Sequence, residues 1–234
     1  MNELEFTSEV SKLNIKLDSD KLNKLKRYYE LLVEWNEKMN LTGITELEQV
    51  YLKHFYDSLT LNKIIDLNQN LSLVDIGTGA GFPGLVLKIV FSNLKITLID
   101  SLNKRIEFLK FVINELELKD IEAIHARCEE YGIKNREIFD IATARAVSPL
   151  NILLEYSIPM LKQNGYFIPM KANISQEIFE SKKALEKLDC EIISQVEFEL
   201  PKEQSKRTLI KIRKNKQTKK LFPRKYSEIK KRPL

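Results

Sequence analysis

The sequence predicts an α/β fold, a mostly parallel seven-stranded sheet with an antiparallel last strand, preceded by a helical extension. Three observations predict it. From residue 71 onward short apolar runs alternate with stretches of helical periodicity. A glycine-rich turn, Gly77-Thr-Gly-Ala-Gly81, separates the first run from a helix opening near Pro83. The first 65 residues read as helices alone.

In the helical extension, Asp18 or Ser19 can cap a helix whose stripe is Leu22, Leu25, Tyr28, Tyr29, Leu32, Trp35 and Met39. Asn40-Leu-Thr-Gly43 breaks it, and Thr45 with Glu48 forms a capping box ahead of Val50, Tyr51, Leu52, Phe55, Tyr56 and Leu59. These aromatics read as a packed cap, and His54 and Asp57, one turn apart, as a surface or satisfied core contact. Strand one spans 71–76, and a helix follows from Pro83 to Phe91. Strand two is Lys95–Asp100, with Ser101 capping the next helix. Ile121–His125 and Phe139–Thr143 are strands three and four. Ser148-Pro149 starts a helix that Asn164-Gly165 ends, and Tyr166–Met170 is strand five. A helix runs from Ser175 to about Leu188, and 190–198 and 207–213 form a closing antiparallel pair.

At 234 residues and 27.3 kDa the chain has room for one sizeable domain plus an appendage. The expected division is a cap at 1–65, a cofactor-binding domain at 66–214 and a basic tail at 215–234. No apolar run approaches the ~18 residues of a membrane span, and the acidic start has no signal-peptide core. Cys128 and Cys190 show no metal spacing, so free thiols in a reducing cytoplasm are expected. Residues 201–234 hold fourteen Lys and Arg against Glu203 and Glu228, a balance of +12, which leaves −7 for residues 1–200 of the overall +5. A basic end of this kind suits an arm that meets a polyanion.

Gly79-x-Gly81-x-x-Gly84 fits the dinucleotide fingerprint only in a displaced register, because the first glycine after the strand is Gly77. Pro83 also lacks an N–H where a pyrophosphate would want one. No Gly-Lys-Ser/Thr follows, which excludes a Walker loop. Asp75 suits an ammonium and the turn amides a carboxylate. Asp100, closing strand two, suits both hydroxyls of a ribose. S-adenosylmethionine has both kinds of group, whereas NAD has only the second.

Val74-Asp-Ile-Gly-Thr-Gly-Ala-Gly-Phe-Pro-Gly84, Asp100-Ser-Leu-Asn-Lys-Arg105, Thr143-Ala-Arg-Ala-Val147 and Leu161-Lys-Gln-Asn-Gly-Tyr-Phe167 resemble the RsmG methyltransferases, also called glucose-inhibited division protein B. Asn40-Leu-Thr42 and His54-Phe-Tyr-Asp-Ser-Leu59 extend the resemblance into the cap. It implies a class I, Rossmann-like methyltransferase that transfers a methyl group from S-adenosylmethionine to N7 of a guanine in 16S ribosomal RNA. The implied cofactor contacts are Gly77, Phe82, Cys128, Glu129 and Arg145, which join Asp75, Gly79, Gly81 and Asp100. Cys128-Glu129 stands where relatives often have Ala-Glu, and a thiol is only slightly larger than a methyl.

Guanine N7 carries an in-plane lone pair, so its methylation needs placement and no general base. Arg145, past strand four at the ligand-binding edge, suits orientation of guanine O6 and N7 or grip on the cofactor carboxylate; the resemblance points to the cofactor. Phosphate contacts are expected from Lys104, Arg105, Lys171, Lys206, Arg207, Arg213 and Lys214, and onward to Lys220. The partner is 16S ribosomal RNA or the small subunit, with no metal, no membrane and a monomeric chain. Two other classes compete, a nicotinamide oxidoreductase and a non-catalytic RNA-binding module. Pro83 opposes the first, and the retained glycines with Asp100 oppose the second.

Overall fold

Local chemistry at the N-terminal end builds a helical cap. The computed structural model describes residues 1–172 and 174–234. Helix α1 (Glu3–Ser11) starts on a capping box between Asn2 and Glu5, a signal present in the sequence and not read from it. Helix α2 (Ser19–Met39) is capped by Asp18, which accepts from the Lys21 amide at 2.9 Å, and it ends at Asn40 in a left-handed conformation. Its buried face carries Leu25, Tyr28, Leu31 and Leu32. Helix α3 (Leu47–Val50) runs into a π-helical turn, Tyr51–Tyr56, then α4 (Asp57–Leu59) and a 3₁₀ turn, Thr60–Lys63. The expected Thr45–Glu48 box does not form: Glu46 occupies the cap position with no side-chain bond. The wider π turn buries Tyr51, Leu52, His54, Phe55 and Tyr56 together.

The remainder is β1 (Ser72–Ile76), α5 (Gly84–Val90), β2 (Lys95–Asp100), α6 (Asn103–Glu115), β3 (Ile121–His125), α7 (Cys128–Lys134) and β4 (Phe139–Arg145). After these come α8 (Leu150–Ser157), β5 (Leu161–Lys171), α9 (Ser175–Glu180), α10 (Lys182–Lys187), β6 (Cys190–Glu199), β7 (Lys206–Lys214) and α11 (Tyr226–Lys231). The seven strands lie in the order β3-β2-β1-β4-β5-β7-β6, with β7 antiparallel to both neighbours. The α/β expectation, parallel core and reversed last strand included, therefore holds. Winding reverses between β1 and β4, and such a switch opens a crevice at the carboxyl ends of the strands. One apolar layer joins the cap to the sheet, and a second lies on the opposite face under α8. Among the described residues no helix is long and apolar enough to cross a membrane.

Three local expectations fail for identifiable reasons. Asn164-Gly165 ends no helix; it lies inside β5, where Asn164 takes φ +65° beside a register shift against β4. A β-carbon at Gly165 would sit 2.9 Å from the Lys162 carbonyl, so the glycine permits a bulge that reads as a turn in sequence. The helix expected from Ser175 to Leu188 breaks at buried Ser181 into α9 and α10. Ser101 caps nothing: α6 starts after Leu102, whose amide is bound by Asp100 Oδ1 at 2.9 Å.

Residues 215–234 are also not a loose arm. Phe222, Ile229 and Leu234 are buried in the second apolar layer, and Arg224 pairs with the buried Glu155.

Candidate active site

A cavity of about 410 Å³ opens at the carboxyl ends of β1, β2 and β4. Gly77 forms part of its floor with φ +66°, and a β-carbon there would lie 2.6 Å from Val147 Cγ2. Only glycine gives a left-handed turn and bare backbone at that point. Asp100, 3 % exposed, ties the rim: Oδ2 accepts from the Gly79 amide at 3.0 Å and from Arg105 Nη1 at 3.2 Å. Cys128 and Glu129 open α7 on the far wall. Burial first, then the Glu129 and Asp100 carboxylates, push the Cys128 thiol up to about 12, so it stays protonated.

The other expected cofactor residues sit behind this surface. Asp75 is fully buried beneath the turn, where Oδ2 accepts from Thr78 Oγ1 at 2.7 Å and from the Gly84 amide at 2.8 Å. Burial raises its carboxyl to about 6. Through Oδ2 it braces the turn, it is not part of the first cavity's lining, and its Oδ1 is buried with no hydrogen-bond partner among the described residues. Gly84 makes that brace possible, since a β-carbon there would lie 2.3 Å from Leu98 Cδ2. Gly81 faces the cap, where the Tyr28 hydroxyl donates to the Ala80 carbonyl. Phe82 is turned the same way and stacks on His54, ring centroids 4.2 Å apart.

A second cavity, about 540 Å³, lies between the cap and the ends of β4 and β5, lined by His54, Asp57, Arg145, Ala146, Met170 and Lys171 among others. Arg145 is the last residue of β4 and belongs here, not to the first cavity. Its Nη1 donates to Asp57 Oδ2 at 3.0 Å and to the Lys53 carbonyl at 2.9 Å, while Nη2 lies 3.2 Å from His54 Nδ1. Arg207 Nε donates to Asp57 Oδ1 at 3.0 Å. Burial, reinforced by Arg145, lowers the His54 pKa to about 3, leaving a neutral imidazole whose Nε2 is 3.0 Å from Thr42 Oγ1. The His54–Asp57 pair, read as ordinary packing, is the joint between cap and sheet. Their one-turn spacing was the signal.

Ala146 lines both cavities, with φ +54°. This reversal sends Arg145 to the second cavity and Val147 and Ser148 to the first.

The expected phosphate ligands divide by strand direction. Because β7 runs against β5, Lys206 stands at the carboxyl edge and is exposed, whereas Arg213 lies opposite Tyr166 near the amino end of β5. Arg213 pairs there with Glu191 at 2.5 Å. Lys214 is fully buried, donating to Glu137 at 2.8 Å and to the Leu161 carbonyl at 2.7 Å, and is withdrawn as an RNA contact. Its charge balances a buried site that the sequence could not place. Lys171 is held by Glu177 at 2.8 Å, Arg207 by Asp57, and Arg105 turns to Asp100. Lys104 donates to the Met39 carbonyl at 3.0 Å and stays exposed.

The first cavity carries polar atoms open to a ligand. Glu129 Oε1 and Arg105 Nε are both buried with no hydrogen-bond partner among the described residues, an acceptor and a donor open to a polar ligand. Sequence comparison agrees. The family model described as GidB, rRNA small subunit methyltransferase G, matches residues 21–210. The chain is 46 % identical over 237 residues to a ribosomal RNA small subunit methyltransferase G of Lysinibacillus sphaericus, covering all of both chains. It is 49 % identical over 226 residues to that of Acetivibrio thermocellus, covering 96 % of this chain and 93 % of the other. In fold it is similar to M. jannaschii TYW2, solved in complex with AdoMet, at 18 % identity and a TM-score of 0.52 over 63 % of this chain and 70 % of that one. With the family model matching most of the chain and relatives matching its full length, the chain belongs to the rRNA small subunit methyltransferase G family.

Proposed function

We propose that the protein methylates N7 of a guanine in 16S ribosomal RNA, holding S-adenosylmethionine in the first cavity and admitting the base through the second. The observation that carries this reading is the meeting of two cavities at Ala146, one with unpartnered groups suited to a nucleoside and one rimmed by Arg145, Lys171 and Arg207. When bound, S-adenosylmethionine supplies an electrophilic methyl group on a sulfonium.

The chain's own residues then orient and exclude. Asp100 accepts from ribose hydroxyls, Glu129 accepts from the exocyclic amine of the base, and Gly77 lets the ligand lie against backbone. Guanine N7 attacks without losing a proton, so no base is needed. His54 suits that chemistry, being neutral and with both ring nitrogens engaged. The cations around the second cavity are paired with Asp57 and Glu177, and Lys206 on the same edge is the exposed candidate for a phosphate. Together these residues provide proximity within near-attack distance, about 3–3.5 Å.

The test is to incubate the full chain and labelled S-adenosylmethionine with 16S RNA and with small subunits, then map the product by reverse-transcription stops after N7-specific cleavage. Label at a single guanine is expected; incorporation into neither substrate, or at another base, would overturn the reading.

A further inference from the structure

The family model ends at residue 210, yet the chain beyond it is firmly held. Arg136 donates to the carbonyls of Phe222 at 2.5 Å and Thr218 at 2.7 Å. Arg224 gives Glu155 three hydrogen bonds, from its backbone amide at 2.9 Å, Nε at 2.8 Å and Nη2 at 2.6 Å. Glu155 is fully buried, so removing the segment would strand a charge in the interior. These ties place α11 across α8 and bring Tyr226 and Lys230 to the mouth of the first cavity, on the lining that also carries Arg127, Cys128 and Glu129.

Tyr226 keeps 38 % of its surface exposed although the residues around it are anchored. The Arg127 guanidinium lies over its ring, 4.5 Å from the centroid, and the flexible Lys230 Nζ stands further off at 6.0 Å. A ring fixed by a cation on one side loses little freedom when a second planar group packs on it. Two of the tail's cations are meanwhile engaged within the protein, Arg224 with Glu155 and Lys216 with Asp189. That favours a wall for the cavity over a free phosphate-binding arm.

We propose that Tyr226 is a cofactor-binding residue, an aromatic wall against which the adenine base packs, positioned by the C-terminal segment. The inference rests on the cofactor reading above, and the experiment separates the two. S-adenosylhomocysteine is titrated calorimetrically into the full chain and into its Tyr226→Ala and Tyr226→Phe variants. Base–aromatic stacking predicts a loss of roughly ten-fold or more in affinity for Tyr226→Ala and little change for Tyr226→Phe. Adenosine alone should lose the same factor. Equal affinities for the wild type and Tyr226→Ala overturn the wall. No binding to the wild type overturns the cofactor reading itself. Should Tyr226→Ala not fold, Tyr226→Leu keeps apolar bulk. Its ligand-induced rise in melting temperature must then fall short of the wild-type rise for the proposal to stand.

Discussion

The nucleoside cavity and the cap joint flank Ala146, yet their polar groups are in opposite condition. In the joint, Asp57 accepts from Arg145 on one oxygen and Arg207 on the other, and His54 bridges Thr42 and Arg145. In the cavity, Glu129 Oε1 and Arg105 Nε have no hydrogen-bond partner among the described residues. A satisfied network holds two parts of a molecule together, whereas unsatisfied buried groups cost free energy that a ligand can recover. The contrast separates a network closed on itself from groups still open to a ligand.

The largest effect should follow from breaking the joint. Asp57→Ala leaves two guanidinium groups facing each other without their carboxylate, and we expect a stability loss of about 3 kcal/mol in chemical denaturation. A loss below about 1 kcal/mol would mean the joint is ornamental. Asp100→Ala should act on the receptor side, weakening S-adenosylhomocysteine binding by roughly 1–3 kcal/mol in calorimetry. Unchanged affinity would remove the ribose contact.

The joint also carries a pH signature. The His54 pKa is lower folded, about 3, than its ordinary 6.5, so the unfolded chain binds the extra proton between those values. Stability from this group is present above pH 6.5 and is lost as pH falls, by about 1.4 kcal/mol per unit. The difference in unfolding free energy between the wild type and His54→Gln should therefore tilt across this window; a flat difference would contradict the buried neutral imidazole. Asp75, raised to about 6, contributes the opposite slope between its ordinary 3.8 and that value, which is why the comparison must be made by variant.

Glu129→Ala sharpens the contrast in sign. Removing an unpartnered buried acceptor should leave the unliganded protein as stable or more stable by about 1 kcal/mol, while weakening S-adenosylhomocysteine binding by a similar amount. Loss of stability instead would make Glu129 framework. The smallest effect is expected at Lys206→Ala, which should reduce the salt slope of RNA binding by about one. Lys214→Met should leave that slope untouched.

The strand–helix alternation was legible because it needs only local periodicity: β2 and β3 have the bounds read from the sequence. Asp100 closes β2 as read, and Gly77, Asp100, Cys128 and Glu129 share the lining of one cavity, Cys128 and Glu129 having been named through the family resemblance alone. The setting of Asp75 was not legible because the residues that bind it, Thr78 and Gly84, act through a fold of the turn that spacing does not reveal. The tail misled for a different reason. A run of lysines and arginines looks the same whether its charges meet solvent or, as with Lys214 and Arg224, carboxylates far away in sequence. Tyr226 gave no sequence signal at all, being brought to the cavity by those distant pairs.

Ala146 is shared by the linings of both cavities, the proposed nucleoside cavity and the proposed base cavity. A bulkier side chain there would crowd that shared lining while sparing the far walls of both, so that retention of the nucleoside and delivery of its methyl would part company.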